Sequence, residues 1–251
     1  AFMEKKINDA GMNFMFIQGA QAPVSVNKWA ELPAKTVSEV DAEIALNPSA
    51  EDYKTAILFG YEFARLVLDA QNSLKEIEPI LNVKMTEYTV QIETGLLGYG
   101  ATEGFIGTTT VEDASSATGY SIITEAGYIE IGKNIVLLTA PGELVPQLVY
   151  GEVISAEDSY LGTEWTLDAT ADLIPEGKTV LGMGLCNDAI GYIVPDNDYA
   201  HFIADSIWDM DGADKLFGPY HRHYEEMLST GDKAGSATIT TLNALAKEIN
   251  K

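Results

Sequence analysis

The sequence predicts an α/β or α+β fold in which a mixed β-sheet is flanked by helices. Short apolar runs alternate along the chain with longer segments whose apolar residues recur at helical spacing, an order typical of these classes. The chain has 251 residues, of which 46% are hydrophobic, enough for a sizeable core. Residues 1–251 suit one large domain or two small ones, and no internal repeat, low-complexity tract or clear linker divides them.

The N-terminal third is predicted to hold two helices and one strand. Residues 1–10 have the pattern of the end of a helix that Gly11 closes, as if the helix began before residue 1. The apolar run Met12–Ile17 predicts a buried strand. Ser49–Asp52 is a plausible helix cap, and 51–74 has the periodicity of a long amphipathic helix. Its apolar face consists of Ile57, Tyr61, Ala64, Val67 and Leu68.

The middle of the chain is predicted to be rich in strands. Apolar residues alternate over 81–85 and again, in the opposite phase, over 88–92, which predicts two strand segments with a bulge or bend between them. Residues 95–132 are rich in Gly, Thr and Ser, and predict a meander or a long loop region near a site. Ile135–Leu138 and Thr179–Leu185 predict buried strands.

The remaining elements are helical or irregular. Residues 144–150 predict the start of a helix, and 196–231 are irregular and rich in aromatic residues. A closing helix is predicted over 235–250. Its apolar face consists of Ile239, Leu242, Leu245 and Ile249.

The net charge argues against several classes of partner. The chain has 15 basic and 38 acidic residues, which give a net charge of −23. This charge would repel the phosphate backbone of a nucleic acid and an anionic membrane surface, so we expect neither as a partner. No run of about 18 apolar residues occurs, so we predict no transmembrane segment. Cys186 is the only cysteine, which excludes a disulfide framework and a cysteine-rich metal cluster.

Two polar turns follow the predicted strands at 135–138 and 179–185, where ligands tend to bind in α/β sheets. Glu143 in the first turn could ligate a cation, or could complement the dipole of a following helix. Tyr192 in the second turn could be a packed aromatic residue, or a phenolate ligand whose pKa a metal has lowered. The residues alone leave both pairs of alternatives open.

The order of these motifs resembles the neutral/alkaline ceramidase family. A strand leads into A-P-G-E at 140–143, and a second strand leads into G-L-C-N at 184–187. G-Y-I at 191–193 and Y-E-E-x-x-S-T-G at 224–231 follow, before the last helix. An apolar run also leads into Phe16-Ile17-Gln18-Gly19-Ala20, as in the family's F-x-Q motif. The resemblance covers nearly the whole chain, with an insertion around 200–222.

The resemblance implies a zinc-dependent amide hydrolase. The family holds zinc with two His, one Glu and one Tyr, and the last two correspond to Glu143 and Tyr192. The family's His segments lie upstream of the strand predicted at 12–17, whereas the histidines here are all near the C-terminus. We therefore expect the chain to be the C-terminal portion of a catalytic domain whose N-terminal zinc-binding portion is absent. We also expect zinc binding in this chain alone to be absent or weak, the chain alone to be inactive, and the whole protein to be compatible with an extracytoplasmic location.

One departure from the family concerns the substrate. Gly19 stands where true ceramidases carry the serine that acts at the scissile amide, and Ala20 replaces the following Asn. Ala22-Pro23 replaces the family's next Gly-Asp pair. We therefore expect a small or lipid-like amide substrate other than ceramide. The alternative is a non-catalytic relative that keeps the fold and binds a ligand or partner.

Two further motifs could bind metals. His221 and His223 have the H-x-H spacing that places both rings on one face of a strand, where they could hold zinc or nickel, although an exposed polar loop fits the sequence equally well. The run Asp209–Asp214 is similar to half of a calcium loop but lacks its later bidentate Glu, so a solvated acidic loop is the alternative.

Overall fold

The computed structural model describes residues 1–22, 24, 31–201 and 221–250. The chain divides into two compact units, which are described separately. Unit 1 comprises Ala1–Ile17 and Ser25–Glu76, and unit 2 comprises Gln18–Val24 and Ile77–Lys251. The elements form a mixed sheet with flanking helices, which confirms the predicted α/β class. No helix within the described ranges is long and apolar enough to cross a membrane.

Unit 1 is helical. It contains α1 (Phe2–Asp9), α2 (Ala34–Leu46) and α3 (Lys54–Ala70), with 3-10 turns at Pro48–Tyr53 and Gln71–Ser73. α3 is the long amphipathic helix that the sequence predicts, because its periodic apolar residues pack against α2. Their shared core consists of Val40, Ile44, Ile57 and Tyr61.

Two predictions within the residues of unit 1 are wrong. Met12–Ile17 forms no strand, and Phe16 is 65% exposed, because no described segment offers this run a ladder of backbone partners. Ser49 does not cap α3 either. Its Oγ donates a hydrogen bond to Asn47 Oδ1 at 2.8 Å, within the 3-10 turn that precedes the helix. An apolar run or a capping signature therefore indicates only a local tendency. Contacts with other segments of the chain determine whether the strand or the cap forms.

Unit 2 is built on a mixed sheet. Its strands are β1 (Leu81–Gln91), β2 (Thr110–Glu112), β3 (Tyr120–Ile131), β4 (Ile135–Thr139) and β6 (Thr179–Met183). The spatial order is β1-β3-β4-β6, in which β1, β3 and β4 pair in antiparallel fashion and β6 lies parallel to β4. The short β2 pairs with the first part of β3. The strand predicted at 135–138 is confirmed, and a strand also forms at 179–183. The prediction that 179–185 is a buried strand is wrong in two respects, because β6 ends at Met183 and is an edge strand on which Leu181 is 46% exposed.

β1 has no bulge, contrary to the prediction for 81–92. Its pairing with β3 runs without interruption from Leu81 opposite Ile131 to Gln91 opposite Ser121. The apolar phase changes because each half of the strand directs apolar side chains to a different face of the sheet. Val90 is buried under the last helix, whereas Val83 on the opposite face is 56% exposed.

Helices cover one face of this sheet. α6 (Ala234–Ile249) is the predicted closing helix, and it contacts β1 and β3. α5 (Pro146–Tyr150) confirms the helix expected at 144–150, whereas α4 (Gly95–Thr102) lies in the region expected to be a meander or loop. Residues on the same face of β3 and β4 form the core with α6, namely Ile122, Ala126, Tyr128, Val136, Leu138, Ile239, Leu242 and Leu245.

Candidate functional site

Glu143 and Tyr192 lie side by side. β5 (Glu143–Leu144) and β7 (Tyr192–Ile193) form a two-stranded parallel sheet in which Glu143 is the register partner of Tyr192. Both residues line one cavity of about 300 Å³, which we call the site cavity. Its other lining residues are Leu97, Ile106, Thr108, Ile122, Leu185, Ala189, Ile190, Gly191 and Leu228.

Two glycines allow these strands to approach. The Glu143 amide donates to Gly191 O at 2.9 Å, and a Cβ on Gly142 would lie 2.2 Å from the same oxygen. Gly191 has a φ of +89°, and its own Cβ would lie 1.7 Å from Leu228 O. Both positions therefore require glycine, because any larger residue would push the two turns apart.

The turn that follows β6 closes another side of the site cavity. The amides of Leu185 and Cys186 donate to Gly142 O at 2.9 Å and to Ala140 O at 3.0 Å, which joins the two turns that the sequence singles out. Leu185 and Asn187 have φ angles of 54° and 69°, in the left-handed region that a leucine rarely adopts. Backbone strain of this kind clusters at functional sites, where the surroundings hold it in place.

Cys186 lies in this turn, and burial raises the pKa of its thiol, which disfavours the nucleophilic thiolate. Its Sγ lies 3.5 Å from Gly184 O.

Two side-chain hydrogen bonds connect the turn that follows β6 to β3. Thr124 Oγ1 donates to Asp188 Oδ2 at 2.6 Å, and Asn187 Nδ2 donates to Glu125 Oε1 at 2.7 Å.

The segment that contains Gly19 lies against the same turns. Ala20 N donates to Gly182 O at 2.9 Å, and Ala22 N donates to Leu144 O at 3.2 Å. Gln21 Nε2 donates to Glu143 Oε2 at 3.2 Å, and Gln18 is hydrogen-bonded to Gln21. Sequence reasoning missed Gln21. The available signal was its position three residues after the motif residue Gln18.

Gly19 is not required by packing. Among the described residues, a Cβ at this position would lie within 4 Å only of Gly182 O, at 3.9 Å, and Gly19 itself is exposed. A serine would therefore fit. The missing hydroxyl is a property of this sequence rather than a steric consequence of the fold.

The donor set suits only part of a zinc site. Among the described residues, no three His, Cys, Asp or Glu side chains converge closely enough to hold a metal ion. Glu143 and Tyr192 offer two oxygen ligands on one cavity wall, and the bond from Gln21 orients the carboxylate as outer-shell partners of metal ligands do. Zinc requires three or four protein ligands, so this pair fits zinc only together with others.

The histidine motif near the C-terminus does not have the expected geometry. His221–Leu228 forms a 3-10 segment rather than a strand, so the argument that both rings share a strand face is wrong. His223 is buried, and its Nδ1 is hydrogen-bonded to Glu226 Oε1 at 2.8 Å. The side chain of His221 and the run Asp209–Asp214 lie outside the described residues.

No protein-family model matches the chain, and no curated protein matches it significantly.

Proposed function

We propose that this chain supplies Glu143 and Tyr192 to the zinc site of an amide hydrolase that resembles the neutral/alkaline ceramidases. The observation that carries the proposal is the register pairing of these two residues on the wall of one cavity. They come from two separate turns of the sequence, and nothing in their local patterns requires the turns to meet. Their proximity is what a shared metal ion would need.

The convergence of the other motif segments supports the same proposal. Backbone hydrogen bonds join the segment around Gly19 to Gly182 and Leu144, and join Leu185 to Gly142, while the segment at 228–231 contacts Gly191 and Tyr192. Four of the motif segments thus contribute residues to the wall of the site cavity, namely Glu143, Leu185, Gly191–Tyr192 and Leu228. The left-handed Leu185 on its wall is the kind of strain that a functional site retains.

The remaining ligands would be two imidazoles from a segment that precedes this one in the whole protein. When bound, zinc would supply a Lewis acid that activates water and polarises the amide carbonyl. Gln21 would hold the Glu143 carboxylate in one orientation. The apolar wall formed by Ile106 and Ile122 would exclude bulk water from the substrate.

The substrate would be an amide with a short apolar group rather than ceramide. Gly19 offers no hydroxyl to the scissile bond, so hydrolysis would depend on metal-activated water alone. A cavity of about 300 Å³ is at the small end of the range for ligand pockets. It would enclose a short acyl group, but not a long lipid chain.

The test is an activity assay on a protein that carries the two histidine segments together with this chain. We expect hydrolysis of short amides that a chelator abolishes, and a loss of zinc and activity in Glu143→Ala and Tyr192→Phe. Glu176→Ala and Tyr99→Phe are matched controls, because both side chains are exposed and neither lines the site cavity. Activity that persists in Glu143→Ala and is unchanged by the chelator would contradict the proposal.

A second candidate is a non-catalytic relative that binds a ligand in the site cavity. The observation that favours it is Gly19, since a serine would fit at this position and is nevertheless absent. The same assay separates the two candidates. A whole protein that binds a short amide but contains no zinc and hydrolyses nothing would support the non-catalytic function.

A further inference from the structure

Unit 2 contains a second cavity, of about 380 Å³, which we call the acidic cavity. Four of its lining residues are carboxylic acids, namely Glu152, Asp198, Glu225 and Glu226, and none of the described residues that line it is Lys or Arg. The other lining residues are Val145, Gln147, Ile154, Val194, Pro195 and His223. The cavity therefore combines an apolar wall with a concentration of negative charge.

Two of these carboxyl groups are buried with unused hydrogen-bonding capacity. Glu225 and Glu226 are only 3% and 2% exposed, and Oε2 of each has no hydrogen-bond partner among the residues that the structure describes. The other oxygen of Glu226 is well occupied, because it accepts from Ala200 N at 3.0 Å and is bonded to His223 Nδ1. A buried acceptor without a partner destabilises the folded state, and does so more strongly when it is charged. Such groups in a cavity wall point to a ligand that donates hydrogen bonds.

We propose that the acidic cavity binds a small organic cation, whose ammonium or guanidinium group is held by Glu225 and Glu226 and whose apolar body lies against Val194. A cation with several N–H donors would satisfy both free oxygens and would offset the buried negative charge. The inference is independent of the proposed hydrolase, because it rests on other residues and another cavity.

The geometry favours an organic cation over a metal ion. No three potential ligand side chains among the described residues converge as a metal ion would require, and this includes the acids of the acidic cavity. The cavity is also within the size range of small-molecule sites and is far larger than a single ion. The apolar residues Ile154, Val194 and Pro195 would remain unused by an ion but can enclose a hydrocarbon group.

The ionisation of Glu225 provides an independent readout. Burial raises its pKa to about 7, and the charges of Glu226 and Asp198 act in the same direction, whereas a backbone hydrogen bond and His223 oppose them. Glu152 also faces the cavity. Binding of a cation requires the ionised carboxylate, so affinity should rise about tenfold between pH 6 and pH 8, with release of a proton near pH 7.

The experiment is calorimetric titration of the chain with n-butylammonium, and with 1-butanol as the neutral analogue of similar size. We expect butylammonium to bind and butanol not to bind. Glu225→Gln should weaken butylammonium binding tenfold or more, because a charge-assisted hydrogen bond is lost. Glu176→Gln, which neutralises an exposed carboxylate outside the cavity, should leave binding unchanged.

Several results would overturn the inference. These are no binding of butylammonium, equal binding of butanol, or affinity that Glu225→Gln does not change. Binding of Ca²⁺ or Zn²⁺ that Glu225→Gln abolishes, without binding of butylammonium, would assign the cavity to a metal ion instead. If Glu225→Gln fails to fold, the pH dependence and the comparison with butanol decide the question in the wild-type protein.

Discussion

Glu143 and Tyr192 are register partners across the two parallel strands β5 and β7, and they share the wall of the site cavity. Two glycines make this pairing possible, because the backbones of their turns approach more closely than a Cβ would allow. The geometry of the candidate site therefore depends on residues that have no side chain of their own.

The first prediction concerns the close approach of the turns. Gly191→Ala should lower the free energy of unfolding by about 3 kcal/mol or more, since it adds a left-handed φ cost to a direct overlap with Leu228 O. Gly104→Ala is the matched control, because Gly104 has a φ of +71° and no atom of the described residues lies within 4 Å of its Cβ position. It should cost only about 1–2 kcal/mol. Urea unfolding measures the free energy of unfolding of both variants. Equal losses of stability in Gly191→Ala and Gly104→Ala would refute the role of the close approach.

The second prediction concerns zinc in this chain alone. Two oxygen ligands are too few for a stable site, so the purified chain should retain no stoichiometric zinc after dialysis. Elemental analysis measures this directly. Stoichiometric zinc that disappears in Glu143→Ala would show that the missing ligands lie within this chain. Zinc that persists in that variant would place the metal at a different site.

The third prediction concerns Gly19→Ser. A Cβ at this exposed position would meet only Gly182 O among the described residues, at 3.9 Å, so the free energy of unfolding should change by no more than about 0.5 kcal/mol. Gly184→Ser is the control, because a Cβ there would lie 2.8 Å from Gly142 O and should cost about 1–3 kcal/mol.

The same substitution has a functional consequence in a protein that carries the histidine segments. Gly19→Ser should not produce ceramide hydrolysis there, because Ala20 and Ala22-Pro23 also differ from the family pattern. The measurement is turnover of ceramide before and after the substitution. Chelator-sensitive turnover by the unsubstituted protein would contradict the interpretation of Gly19.

The fourth prediction concerns pH and Glu225. Its pKa rises from an ordinary 4.5 to about 7 in the folded chain, so the folded state holds the proton more tightly. The ionisation of Glu225 therefore lowers the free energy of unfolding as pH rises from about 4.5 to 7. The loss from this one group is at most about 3 kcal/mol. Glu225→Gln cannot ionise, so its stability relative to the wild type should increase between pH 5 and pH 8.

Urea unfolding at these two pH values measures the effect of Glu225→Gln. Glu176→Gln should show no such pH dependence relative to the wild type, because Glu176 is exposed. A constant difference between Glu225→Gln and the wild type at both pH values would mean that Glu225 ionises normally in the folded chain.

Local patterns in the sequence determined many elements of the fold. The helical spacing of Ile57, Tyr61 and Ala64 predicts α3, and that of Ile239, Leu242 and Leu245 predicts α6, because a periodic apolar face must be buried. The apolar runs of β4 and β6 predict their strands and the turns that follow them. The sequence also singled out Glu143 and Tyr192, but only as residues of two separate turns.

Only the tertiary structure decided which of these residues meet. The register of β5 with β7, the bond from Gln21 to Glu143 and the contact of Gly191 with Leu228 join segments that are distant along the chain. The exposure of Phe16 is decided in the same way, because a strand exists only where another segment pairs with it. The periodicity of the side chains indicates which face of an element is apolar. Packing across the whole unit determines which other segment covers that face.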